Sequence, residues 1–463
     1  LADLDPSFII NVRDALTAAM GLITQSDAYY QYSKDGKLLP SGEFIRRQFN
    51  SNEYELYVQD TWKLRRNLTV IAGLRYSLMP PIYEANGYQV NSLQSLSGWF
   101  DERVGYARAG KSQDNVTPLS FTLKELEGGR DLYSFNKKNF APRVSVAWSP
   151  EGDGDWARKI FGAPGKTSVR AGFGMYYDLF GSGLVTNFDR SASGLTTNVT
   201  NPSASLTIAN APRYSGFSNV PSSIVIPAPA GGFPQQAPDL FAILNGLDDR
   251  IQAPYTMNLN FSVSREFSGS WLAQVAYVGR LSRRSLISED VAMPTNLVDP
   301  SSGIDYFTAA KYLAQNVRDG VDIADVKAHP YWENMFPDLR TGTESATQTA
   351  YDVYGWFLPD ATYGLYYLDV ECYPACSKLG QYAFFNRQYS YLRALRSIAN
   401  GNYHGGQFTL RKRFSNGDQI DFNYTLSKSI DLASTAERNT TGIIINAFSR
   451  RQFRAVSDYD MTH

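Results

Sequence analysis

Residues Asn402–Asp431, NYHGGQFTLRKRFSNGDQIDFNYTLSKSID, restrict the fold more than any other stretch of the chain. Gly406, Phe408 and Leu410 share one parity, and Gln407, Thr409 and Arg411 share the other. After Ser415-Asn416-Gly417-Asp418, the residues Ile420, Phe422, Tyr424 and Leu426 alternate with Gln419, Asp421, Asn423, Thr425 and Ser427. Period two on both sides of an Asn-Gly pair is the signature of a β-hairpin. One face is apolar and the other hydrogen-bonding. That suits a wall between lipid and a watery lumen, and equally one sheet of a soluble sandwich.

The same pattern recurs three more times. Tyr54, Leu56 and Val58 lead to Trp62, and Leu68, Val70, Ala72, Leu74 and Tyr76 return. Phe140, Val144, Val146 and Trp148 precede Val169, Ala171, Phe173, Met175 and Tyr177. Tyr255, Met257, Leu259, Phe261 and Val263 turn at Ser268-Gly269-Ser270 into Trp271, Ala273, Val275 and Tyr277. Long excursions near 77–138, 181–253 and 281–400 separate the hairpins, and 432–463 reads as a further loop without a closing strand. Short helices are expected near Tyr306–Val317 and Tyr391–Ala399. Residues 1–43 form a lead-in, either barrel strand or loop, in which Val12–Ile23 fits a short helix or an irregular strand.

Excursions of this length are rare in compact soluble domains. Outer-membrane barrels produce them by construction, with short periplasmic turns at one end and long extracellular loops at the other. Aromatics gather at strand ends (Trp62, Tyr76, Trp148, Tyr176, Tyr177, Tyr255, Trp271, Tyr277), as interfacial girdles require. The expected fold is therefore all-β: residues 44–463 as part of a large antiparallel transmembrane barrel in the bacterial outer membrane, bathed by its lipid.

Composition removes other classes. Lys+Arg 44 against Asp+Glu 45 leaves a net charge of −1, which excludes a nucleic-acid footprint. The mean hydropathy of −0.32 does not speak against a barrel, whose strands are only half apolar. No run of 18 apolar residues offers a transmembrane helix. The opening LADLDPSFIINVRD lacks a signal-peptide pattern, so the leader is expected to be removed or the chain to be internal to a longer polypeptide.

Several stretches resemble the TonB-dependent outer-membrane receptors, in particular their Oar-like branch. They are residues 52–76 (NEYELYVQDTWKLRRNLTVIAGLRY), 139–150 (NFAPRVSVAWSP), 165–178 (GKTSVRAGFGMYYD) and 254–286 (PYTMNLNFSVSREFSGSWLAQVAYVGRLSRRSL). HPYWENMFPDL at 329–339, the 401–431 hairpin and FRAVSDYDMTH at 453–463 are similar to that branch too. The resemblance implies a barrel of about twenty-two strands around a plug coupled to the TonB complex. No plug or TonB box is legible here, so the chain reads as the central barrel section of such a receptor.

Motifs that suggest other chemistry have simpler readings. Gly162–Thr167 lacks the Walker spacing and precedes a strand, so it is a turn. Glu151–Asp155 lacks the length and terminal Glu of a calcium loop. Cys372 and Cys376 are the only thiols, and an oxidising compartment makes them a local disulfide. His329, His404 and His463 show no ligand spacing, and His404 reads as a structural hydrogen-bonding residue. Neither a catalytic constellation nor a cofactor or metal site is expected, and the chain is not read as an enzyme.

On this parity Arg75, Arg143, Arg170, Asp178, Asn258, Asn260 and Asn423 face the lumen. The aromatic-rich stretch Tyr351–Tyr367, with Tyr351, Tyr354, Trp356, Phe357, Tyr363 and Tyr366, is the candidate ligand contact in the longest loop. The expected function is ligand capture by the loops and uptake through a plugged barrel. The alternative is a surface or adhesion platform that binds another protein without active transport.

Overall fold

The computed structural model describes residues 6–151, 154–180, 184, 194–201, 208–216, 224–235, 242–357, 360–372, 376–432, 434 and 443–463. Eight long strands lie side by side in chain order: β1 (Tyr54–Arg65), β2 (Leu68–Leu78), β3 (Asn139–Trp148), β4 (Thr167–Tyr177), β5 (Tyr255–Phe267), β6 (Trp271–Asp290), β7 (Tyr389–Arg413) and β8 (Gln419–Asp431). Each is antiparallel to its neighbours. The sheet is open: β1 forms one edge and β8, paired with the short strand Ala455–Val456, lies near the other.

The connections β1–β2, β5–β6 and β7–β8 are tight, and with β3–β4 they share one end of the sheet. In the β7–β8 turn Phe414 N–H donates to the Asp418 carbonyl at 2.9 Å, and Gly417 adopts φ 94°. That left-handed conformation explains the glycine. Every long connection leaves from the opposite end.

Register turns the alternation into two continuous faces. Val70, Val146, Ala171, Phe261, Tyr277, Gly406 and Leu426 oppose one another in one row. Leu68, Trp148, Val169, Val263, Val275, Phe408 and Tyr424 form the next. Phe261, Val275, Phe422 and Leu426 are 47%, 60%, 55% and 51% exposed, so among the described residues no second sheet covers this face. That removes the sandwich reading. Asp60, opposite Ala72, lies on it as well, as do Arg265, Lys412 and Lys428 nearer the strand ends, and we have no physical account of Asp60. The other face carries Arg143, Gly174, Asn258, Arg280, Tyr403 and Ser429 in a single row.

Tyrosines repair the glycine gaps in these strands. A Cβ at Gly405 would sit 2.8 Å from the Tyr403 hydroxyl, and one at Gly279 would sit 2.7 Å from the Tyr277 hydroxyl. Each ring lies back over the bare backbone two residues along its own face, which restores packing lost at glycine. The β5 span from Tyr255 to Phe267 is twelve steps. At about 3.3 Å per step and a tilt near 45° it rises about 28 Å, close to the height of an outer-membrane apolar band.

Three expectations need correction. Residues 281–400 are not all loop: β6 runs on to Asp290 and β7 begins at Tyr389. Tyr391–Ala399 is accordingly strand rather than helix. It pairs with β6 and, in parallel, with Ala242–Leu247, and these tertiary contacts override a local pattern that also fits a helix. Residues 432–463 do not simply lead away, because Ser457 N–H donates to Ser429 O at 3.0 Å and Ser427 N–H to Thr462 O at 3.0 Å, along the β8 edge. The lead-in supplies helix α1 (Pro6–Ala19) and a strand, Ser26–Gln31, that pairs with Thr196–Asn201 rather than with the wall.

A charge on the apolar face tests these faces. Val275→Lys, near mid-strand, should cost on the order of 2–4 kcal/mol and reduce the folded, heat-modifiable band on electrophoresis. Gln274→Lys should leave that band intact. Equal losses would mean that the faces are assigned wrongly.

Candidate functional site

The long connections fold back on themselves into a layer at one end of the sheet. Helix α2 (Leu96–Arg108) belongs to the β2–β3 connection, whereas the short α3 (Asp155–Phe161) lies in the β3–β4 turn at the far end. Between β6 and β7, residues 291–388 build a cap from α4 (Tyr306–Arg318), α5 (Pro330–Met335), α6 (Ala346–Phe357) and α7 (Ala361–Tyr366). Asp305 starts α4 by accepting from Thr308 N–H at 2.9 Å, and Asp360 caps α7 through Thr362 and Tyr363. Such caps satisfy amides that a helix start leaves unpaired.

The family-like stretch HPYWENMFPDL is the centre of this cap. Tyr331, Trp332, Met335 and Phe336 have no exposed surface. Trp332 Nε1 donates to the Ala309 carbonyl at 3.2 Å, and the Tyr331 hydroxyl donates to the Leu297 carbonyl at 3.0 Å. Satisfying the polar tips is what lets such large rings be buried. Asp369, also buried, accepts from the backbone N–H groups of Ala383, Phe384 and Phe385 at 2.8, 2.9 and 3.0 Å. Burial outweighs those donors and pushes its carboxyl up to about 7.

The candidate ligand aromatics divide between core and surface. Tyr354 is fully buried, its hydroxyl 2.5 Å from that of Tyr306, so it serves packing. Tyr351 is half-buried and donates to the Val321 carbonyl at 2.6 Å. Trp356 and Tyr363 are 66% and 45% exposed. Phe357 packs between Tyr363 and Tyr367, with ring centroids 4.8 and 5.8 Å apart, and Tyr366 stacks on Tyr363 at 5.7 Å. Tyr367, at 37% exposure, closes the candidate stretch and extends the patch, four residues after Tyr363, one helical turn on. Cys372 and Cys376 are joined by a disulfide just beyond it.

A buried ionic cluster ties the strand ends that carry the cap to the other loops. Arg396 of β7 bridges Asp248 at 2.9 Å and Glu289 of β6 at 2.6 Å, and donates to Ser97 of α2 at 3.1 Å. Arg450 adds a second cation on Glu289 at 2.9 Å. Five stretches of chain therefore meet at two carboxylates, and none of their residues carried a sequence signal strong enough to single it out.

Arg75, Arg143, Arg170, Asn258, Asn260 and Asn423 all lie on the polar face, and Asp178 follows β4 directly. Arg75 pairs with Glu55 at 2.7 Å, and Asn423 accepts from Thr409 at 2.9 Å. The Arg143 guanidinium lies 4.3 Å from the Tyr176 ring, and its buried Nε has no hydrogen-bond partner. At the loop end of this face a cavity of about 830 Å³ is lined by Asn258, Asn260, Arg280, Tyr403, Ser429 and Asp431, among others. Arg280 and Tyr403 were not singled out from sequence, although their parity was readable.

The histidines and the remaining motifs have structural places. His404 Nδ1 is 2.7 Å from the Tyr277 hydroxyl, His463 Nδ1 is 2.8 Å from that of Tyr424, and His329 stacks on Tyr312 at 4.9 Å. Gly162 and Gly165 take φ of 80° and 81° in the turn before β4. Gly152 and Asp153 of the acidic turn lie outside the described residues. Among the described residues no group of three or more His, Cys, Asp or Glu is placed to hold a metal.

The outer membrane beta barrel domain matches residues 40–463. The chain belongs to this family. It is a protein of the bacterial outer membrane, with strands rather than helices to cross it. Two solved structures are similar at low identity. The outer membrane transporter YddB from Escherichia coli is 8% identical with a TM-score of 0.30, over 82% of this chain and 34% of that one. The siderophore receptor PirA from Pseudomonas aeruginosa is 7% identical with a TM-score of 0.21, over 83% of this chain and 51% of that one. The barrel chain thus spans about a third of the one and half of the other. No curated protein matches it.

Two outcomes test this loop layer. Arg396→Met strands Asp248 and leaves Glu289 with Arg450 alone, and breaking a buried pair costs about 3–5 kcal/mol. Limited proteolysis should then cut residues 291–388 faster while the folded-barrel band persists; an unchanged digest would remove the clamp. For Asp369, a folded pKa above the unfolded value means that its stabilisation is complete below about pH 4 and is lost as pH rises through about 7. The cap should therefore exchange amide hydrogens faster at pH 8 than at pH 5, after correction for intrinsic rates, and Asp369→Asn should flatten that difference.

Proposed function

We propose that the chain is the central wall of a TonB-dependent receptor of the Oar-like type, taking up a ligand that its loops capture. The carrying observation is the asymmetry of investment between the two ends. One end has turns as short as Arg66-Asn67, whereas the other holds a folded cap with its own aromatic core and an exposed patch of Trp356, Tyr363 and Tyr367. In outer-membrane barrels short turns face the periplasm and long loops face outside, so the patch is presented to the medium. Exposed aromatics on a rigid scaffold suit recognition, because they contribute contact area at little entropic cost.

The open sheet edges support a wall larger than these eight strands. Unpaired backbone groups are not tolerated in lipid, so further strands are needed to close it, toward the twenty-two or so that the resemblance implies. The polar face then lines a lumen filled by a plug, and the plug carries the contact to TonB.

Two measurements test this reading on the full-length protein. Trp356→Cys should react with a membrane-impermeant maleimide on intact cells, while Asn416→Cys should react only after lysis. The receptor should also be retained by the immobilised periplasmic domain of TonB. Labelling of Asn416→Cys but not of Trp356→Cys on intact cells would reverse the orientation. Correct labelling without TonB retention would favour the platform that binds a surface protein without energised uptake.

A further inference from the structure

We propose that the polar wall carries a subsite, centred on Arg280, for a solute that bears a carboxylate and several hydroxyls. This rests on reading the sheet as the wall of a transport lumen. On the same face Arg75 pairs with Glu55 at 2.7 Å and Arg411 with Asp421 at 2.6 Å, and Arg143 lies 4.3 Å from the Tyr176 ring. Arg280 instead stands between two neutral residues, Asn258 on β5 and Tyr403 on β7, and Tyr403 in turn opposes Ser429. Among the described residues it makes no ion pair. Asp431, a carboxylate in the same lining, is engaged by the Ser434 hydroxyl at 2.8 and 3.0 Å.

These groups surround a cavity of about 830 Å³, within the range of small-molecule sites. It lies where the wall meets the loop layer, so a solute released by the loops meets it before the rest of the lumen. The chemistry is divided between the residues. A guanidinium offers a planar fork of donors that matches a carboxylate bidentately. Asn258, Asn260, Tyr403 and Ser429 both donate and accept, as hydroxyl groups require. The Tyr403 ring lies along the strand over Gly405.

The test is binding of fluorescently labelled trigalacturonate to the full-length receptor in detergent, followed by anisotropy. Saturable binding that weakens with added salt is expected, with competition by unlabelled trigalacturonate and none by neutral maltotriose. Arg280→Gln should weaken binding at least tenfold, Arg280→Lys should keep part of it, and Arg411→Gln should leave it unchanged. Each variant is checked for the folded-barrel band and for TonB retention. Absent binding, equal competition by maltotriose, or parent-like binding by Arg280→Gln would overturn the subsite. If TonB retention persists in those cases, only the subsite falls; if retention fails while binding holds, the transport reading falls instead.

Discussion

The obligation to pair every backbone amide and carbonyl that meets lipid governs this molecule. Hydrocarbon offers no hydrogen bonds, so a spanning segment must satisfy its own or its neighbour's groups. The unbroken ladder from β1 to β8 answers that demand, and its antiparallel registers produce the two faces. Once the ladder is laid down, side chains have only two destinations. Phe261 and Val275 go to one, and Asn258 and Arg280 to the other, because Asn258 and Phe261 on β5, and Val275 and Arg280 on β6, stand an odd number of positions apart. Chemistry at the polar face is therefore positioned by main-chain pairing, with side-chain packing secondary. The Tyr403–Gly405 and Tyr277–Gly279 arrangements show how the ladder tolerates bare backbone without losing its surface.

Beyond the wall the governing interaction changes. Loops in water can pair with solvent, so nothing in the backbone forces a single arrangement there. Burial of aromatic rings and the Arg396–Glu289–Asp248 cluster take over. Buried ion pairs contribute modest net stability, since desolvation offsets much of the attraction. They are demanding about partners, however, and each carboxylate must meet its cation. That property suits a layer assembled from five distant stretches, where hydrophobic contact alone would accept many packings.

The wall was legible in the sequence because a period of two is a local signal. Residues 68–76 and 420–426 announce their faces without any knowledge of their neighbours. The extension of β7 through Tyr389–Asn400 was not legible, because its partners Ser288–Asp290 and Ala242–Leu247 lie about a hundred or more residues away in the chain. Tyr354 and Trp356 illustrate a second limit. Both are aromatics on one helix, but their directions differ, and only the helix packing assigns one to the core and the other to solvent. Trp332 marks a third, since a family-like motif signalled importance without saying that the importance was packing.

Arg280 marks the boundary between what pattern and what register can tell. Its parity with Asn258 and Asn260 places it on the polar face from sequence alone. Its lack of a counter-charge is a cross-strand fact that appears only when Asn258 and Tyr403 are seen opposite it. A charged wall can be neutralised in two ways: internally, as Arg75 and Arg411 are, or by what passes along it. Arginine cannot shed its proton to escape the choice. An arginine left without a carboxylate beside amides and hydroxyls, in a space large enough for a solute, keeps its capacity for a strong interaction in reserve. Uptake systems need that reserve at intermediate strength: a cation already paired would not hold a solute, and one enclosed and fully desolvated would not release it. The open cavity beside Arg280, lined by amides, hydroxyls and apolar side chains together with Asp431, meets both requirements.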